Sequence, residues 1–162
     1  MTEWKNLKSI NRFILKDLYA KSFTVTHEDD GLAFLTNSPI LRFVNPKTLE
    51  YIYWRLECFE DEEGDDHLLI YEQNKPDPLK YMRDQEVLPE EHIVDGSHYY
   101  FKNNLIMRVY GYGFKNTDVE ILQRLVFELD HGFVDVEIVG NVLSITTTKQ
   151  RREQYGKVIF TM

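Results

Sequence analysis

The sequence predicts an α+β fold: an N-terminal amphipathic helix packed on a mainly antiparallel, curved β-sheet, either a partial barrel or a sandwich, ending in a C-terminal β-meander. Three observations predict it. Apolar residues recur at three- and four-residue steps near the N-terminus, a period of two takes over after residue 22, and two glycine-containing turns cut residues 125–147 into three matched strands. At 162 residues, 43% of them hydrophobic, the chain suits a single domain with a substantial core.

The helix is expected over about residues 3–20, where Trp4, Leu7, Ile10, Ile14 and Leu18 share one side. Lys5, Lys8, Arg12 and Lys16 form a basic stripe away from it, and Thr2 stands where a cap belongs. The β-rich part begins at residue 23 and runs to 73. FTVTH and LAFLT flank EDDG, a hairpin turn, and ILRFV forms a strand that Pro46 ends. LEYIYWRLECFE and HLLIYEQ flank an acidic run and pair through a turn at Glu63-Gly64. That turn places Cys58 opposite Leu69 and Leu56 opposite Tyr71, on the face of Trp54 and Ile52. Residues 74–97 hold Pro76, Pro78, Pro89 and Gly96 and read as an irregular crossover, with a short helical turn near Leu79–Gln85.

A second β-rich part covers 98–162. With turns at His131-Gly132 and Gly140-Asn141, Leu125, Phe127 and Leu129 face Ile138, Val136 and Val134, which face Leu143, Ile145 and Thr147. The opposite face carries Glu128, Asp135, Glu137, Ser144 and Thr146, with Glu128 directly across from Asp135. KVIFTM adds a last strand.

Charge and cysteine content narrow the function. The net charge of −8 opposes a general nucleic-acid binder. Residues 1–21 carry five bases against Glu3 and Asp17, a net of +3, so the remainder carries −11. RVYGYGFK resembles part of an RNA-recognition signature through Gly111-Tyr112-Gly113-Phe114. Tyr110 stands where that pattern needs a base, and Lys115 where it needs an aliphatic residue. The glycines are read instead as a bend or a close approach in a strand. Cys58 is the single cysteine, expected to be an inert core thiol. No apolar run reaches the length of a membrane span and no secretory pattern opens the chain, so a cytoplasmic location is expected.

Several residues invite chemistry. FEDEEGDDH, 59–67, is the most acidic stretch. A calcium loop with its glycine at Gly64 would start at Phe59 and end at Ile70, neither of which ligates, so the run reads as a hairpin tip. Opposed Glu128 and Asp135, with Glu137 beside them, repel one another unless a cation or basic partner intervenes. Tyr99, Tyr100, Tyr110 and Tyr112 offer large contact area with polar tips. His92, Asp95 and His98 have the residue types of a two-histidine, one-carboxylate metal site, but only a turn at Gly96 would gather them. No serine-nucleophile or phosphate-loop motif occurs.

The expected function is that of a non-enzymatic cytoplasmic protein that binds another protein, as an acidic inhibitor or immunity-type protein binds a basic partner. The expected binding residues are Glu128, Asp135, Glu137 and the four tyrosines. No cofactor, nucleic acid or membrane is expected. The alternatives are a metal-dependent hydrolase built on His92, Asp95 and His98, and a small-ligand binder of barrel-like form.

Overall fold

The computed structural model describes residues 3–75, 97–102, 104–116, 118–152 and 156–162. The strands among them are β1 (Ile14–Ala20), β2 (Phe23–Glu28), β3 (Gly31–Thr36), β4 (Ile40–Val44), β5 (Tyr51–Glu60), β6 (Asp66–Gln73), β7 (Ser97–Tyr100), β8 (Ile106–Asn116), β9 (Val119–Leu129), β10 (Gly132–Val139), β11 (Val142–Thr148) and β12 (Lys157–Thr161). They form a smaller sheet of five strands, ordered β6-β5-β4-β1-β7, and a larger sheet of seven, ordered β12-β8-β9-β10-β11-β3-β2. Every pairing is antiparallel.

The α+β expectation is therefore corrected to an all-β fold. Among the described residues the helical structure is one 3₁₀ turn, Glu3–Asn6. The expected helix over 3–20 is instead this turn, a loop and β1. Two features of this segment separate it from a helix. Arg12 has a φ of 68°, in the left-handed region, which no right-handed helix passes through. In β1 the register shifts between Leu15 and Asp17, a bulge that puts Leu15 and Leu18 on the same side. Both are fully buried, three residues apart, so a bulged strand imitates the step of a helix.

The two sheets pack face to face around one apolar core. Phe43 and Trp54 from the smaller sheet meet Phe127 from the larger at ring distances of 5.9 and 6.1 Å. Leu15, Leu18, Leu41, Leu56, Val109, Leu125, Val136 and Ile145 are each fully buried there. The indole of Trp54 is fully buried, and Glu72 accepts its Nε1–H at 3.0 Å, which offsets the loss of water. Cys58 packs against this core, and burial pushes its thiol pKa up, which makes the thiolate scarce.

The expected strands at 23–36, 40–44 and 157–161 are all present, and β2 and β3 meet through the predicted acidic turn. The meander of β9, β10 and β11 is present with its apolar residues inward, but its first register is corrected by two residues. The turn is Asp130–His131, Leu129 pairs with Gly132, and Glu128 lies opposite Phe133 rather than Asp135. A Cβ on Gly132 would meet the Thr148 carbonyl oxygen at 2.6 Å, so this glycine belongs in the strand, tight against its neighbour, and not in the turn.

The β5–β6 hairpin is also corrected, by one residue. Its loop holds five residues, Asp61–Asp65, so Cys58 pairs with Leu68 and Leu56 with Ile70. An odd loop turns the whole second strand over. Leu68 and Ile70, each 2% exposed, enter the core, while Leu69 and Tyr71 face outward. In β8 the expected close approach holds: a Cβ on Gly111 would overlap the Phe160 ring of β12. The expected crossover at 74–97 and its helical turn fall almost wholly outside the described residues. No helix among the described residues is long and apolar enough to cross a membrane.

Candidate functional site

Among the described residues three places gather polar chemistry: the outer face of the smaller sheet, the outer face of the larger sheet, and the end of the β5–β6 hairpin.

On the smaller sheet the bulge in β1 turns Asp17 outward, opposite Arg42 on β4 and Tyr100 on β7. Asp17 is nevertheless fully buried, because two partners take its two oxygens. Arg42 Nε donates to Oδ2, and His98 Nε2 lies 2.8 Å from Oδ1. Rings enclose the group. Tyr19 stacks on His98 at 4.3 Å, Tyr100 tilts against it at 3.9 Å, and the Arg42 guanidinium sits between Tyr19 and Tyr51. Burial disfavours the Arg42 charge, but the bond to Asp17 and its negative charge outweigh burial, so the guanidinium pKa lies above its ordinary value. Burial, with Asp17 nearby, pushes the Tyr19 hydroxyl up to about 12. Each charge here is answered within the cluster.

His98 is thus committed to Asp17, and the other two residues of the expected metal set, His92 and Asp95, lie outside the described residues. Among the described residues no group of three histidine, cysteine, aspartate or glutamate side chains is placed to hold a metal ion.

On the larger sheet the expected acidic face is not an open one. Asp135 is 4% exposed and forms a two-pronged ion pair with Arg124, itself 5% exposed. Ser144 and Thr146 are buried beside it. Glu137 lies opposite Arg124 across the strands, and Glu128 accepts the Tyr110 hydroxyl at 3.2 Å. The missing signal was Arg124: the residue that neutralises Asp135 sits eleven positions away on the neighbouring strand, and two residues of register separate it from the expected carboxylate pair.

The four tyrosines do not share a surface. Tyr99 points inward against Phe34 and Phe101, and burial raises its pKa. Tyr112 is 1% exposed. Tyr100 is 60% exposed on the smaller sheet's outer face, and Tyr110 lies half-buried on the larger sheet's. Beside Tyr110 runs a groove of about 280 Å³ whose rim holds Arg12, Arg108 and Arg151. These arginines are far apart in sequence, and no local pattern joins them.

The hairpin end is built by its own aspartate. Asp61 Oδ1 accepts the backbone N–H groups of Glu63 and Asp65 at 3.0 and 2.9 Å, and Oδ2 meets His67 Nε2 at 2.7 Å. The His67 bond, helped by the two amides, holds the Asp61 carboxyl below the usual carboxylate range. Gly64, at a φ of 86°, closes the loop. His67 in turn stacks on Phe59 at 4.5 Å, and Phe59 is 46% exposed. Residues 57–66 contain seven acids and no base. Asp61 is consumed by the turn and Glu57 meets Arg55 at 3.5 Å, while Glu60 and Glu62 are exposed to water.

The chain matches no family model, no curated protein and no solved structure.

Proposed function

We propose that this chain is a non-enzymatic cytoplasmic protein-binding protein that engages a basic protein partner, as an inhibitor or immunity-type protein does, and that the end of the β5–β6 hairpin makes the contact. The observation that carries this reading is the run of seven acids without a base over residues 57–66, with Glu60 and Glu62 exposed beside Phe59, itself 46% exposed. Opposed charge speeds encounter, and a half-exposed aromatic ring supplies an anchor once the surfaces meet. The hairpin is stiff enough to present both. Its strands are ten and eight residues long, and their inner faces are fixed by Trp54, Leu56, Leu68 and Ile70.

This moves the proposed contact away from Glu128, Asp135 and Glu137. Asp135 is paired and buried, so it has little to offer a partner. The cytoplasmic placement is supported by the lone, core-packed Cys58.

The test uses the chain and its E60Q/E62Q/D65N variant as paired baits in native lysate at low salt. A basic protein held in stoichiometric amount by the wild type, released by salt, and captured by the variant with association slowed about tenfold or more supports the proposal. Equal capture by both baits, or a partner that salt does not release, removes it.

A further inference from the structure

Seven of the eight arginines lie among the described residues, and they divide into two groups. Arg42, Arg55, Arg124 and Arg152 pair with Asp17, Glu57, Asp135 and Glu28. Arg12, Arg108 and Arg151 place their guanidinium contacts on neutral atoms: the Met107 sulfur at 3.2 Å, the Tyr110 hydroxyl at 3.4 Å, and the Tyr112 hydroxyl. In a chain where 27 acids face 19 bases, a carboxylate partner is the easier arrangement for any arginine. Among the described residues none of these three makes a direct ion pair, although Arg108 lies across the strands from Glu128 and both meet the Tyr110 hydroxyl, and all three line the same groove.

They come from three separate elements: the loop before β1, strand β8, and the segment after β11. Arg12 reaches its place from a left-handed backbone, φ 68°, pinned by its N–H to the Ile106 carbonyl at 2.8 Å. A bulky residue held in that conformation marks a position the surroundings over-determine. The Arg151 guanidinium lies 4.5 Å from the Tyr110 ring centre, which fixes its plane. Phe133 gives the groove an apolar wall.

We infer that this groove binds a small organic phosphate, a phosphomonoester on a compact ring. Charge selects the class. Three guanidiniums against the one lining carboxylate, Glu128, leave a net of +2. A phosphomonoester carries about −1.5 to −2 at neutral pH, which matches that surplus better than a single carboxylate does. Guanidinium forks fit phosphate oxygens in bidentate fashion. Size limits the body. About 280 Å³ is at the small end of ligand pockets, which suits one ring. This site lies on the larger sheet and does not depend on the hairpin reading.

The test is nitrogen-15 NMR of the arginine Nε–H groups in the full chain, titrated with phenyl phosphate. Saturable shifts are expected at Arg12, Arg108 and Arg151, with none at Arg42 or Arg124. Binding should weaken as salt rises, and phenol should not compete. Arg108→Gln should weaken it about tenfold, the scale of one charge-assisted contact, while Arg152→Gln leaves it unchanged. The unshifted Arg42 and Arg124 signals report that each variant is folded. Absence of saturable shifts, equal affinity in Arg108→Gln, or inorganic phosphate binding as tightly as phenyl phosphate overturns the proposal.

Discussion

The outer face of the larger sheet treats arginine in two ways, and that of the smaller sheet in one. On the smaller sheet, Arg42 and Arg55 each meet a carboxylate and lie near tyrosine rings. On the larger sheet, Arg124 is matched to Asp135, yet a short distance along the same face Arg12, Arg108 and Arg151 surround a groove with neutral contacts. The difference separates two uses of charge. A buried pair holds the strands in register, because either partner alone would be left charged and dry. Charges held in water by neutral contacts do little for the fold and remain available to something else. Glu60 and Glu62, exposed at the β5–β6 hairpin end, belong to this second group.

The largest break in that comparison comes from a buried pair. Asp135→Ala removes the two-pronged partner of Arg124 from a nearly closed site and should cost about 3–5 kcal/mol in urea unfolding. Replacing both partners by apolar residues of similar volume should recover most of that loss. A single-variant cost below about 1 kcal/mol would mean the pair is not what holds this face together. Asp17→Ala should cost somewhat less, about 2–4 kcal/mol, since Arg42 and His98 retain side-chain exposures of 21% and 22% and regain water more easily.

The hairpin register is sharpened by two neighbouring leucines. Leu68→Ala opens the core and should cost about 2–4 kcal/mol, whereas Leu69→Ala on the outer face should cost about 1 kcal/mol or less. Reversed values would restore the even-loop register. Arg108→Gln lies below both, with stability expected within about 0.5 kcal/mol of wild type by the same unfolding assay.

The smallest effect concerns pH. The Asp61 pKa is lowered in the folded chain, so its contribution is complete above the ordinary carboxylate value and fades as pH falls through the lowered one. Protection of the Glu63 and Asp65 amides, relative to their intrinsic exchange rates, should therefore persist at pH 5 and fall only in stronger acid. Loss of protection already near pH 5 would show that the Asp61 bonds do not hold the loop.

How much of this was legible in the sequence depends on parity. The β9–β10 register differs from expectation by two residues, an even shift that leaves every side chain of the meander on its expected face. The β5–β6 register differs by one, and a whole strand turned over. Loop length decided between these cases. Asp61 makes a five-residue loop through side-chain bonds that no alternation pattern encodes. The first strand was hidden for a related reason, since the bulge after Leu15 converts a period of two into a local step of three. The polar sites were less legible still. Asp17 meets His98 across 81 residues and Arg12 meets Met107 across 95, pairings that only the sheet order creates. The acidic hairpin end was visible because its charges are contiguous.

The most direct measurement of the division between structural and available charge is the urea midpoint of E60Q/E62Q/D65N beside wild type. Removing three crowded charges whose side chains form no ion pair among the described residues should leave the midpoint unchanged or raise it slightly, as relieved repulsion adds about 0.5 kcal/mol of stability. A fall of about 2 kcal/mol or more, the scale of a lost internal network, would contradict the account and make the hairpin acids part of the fold.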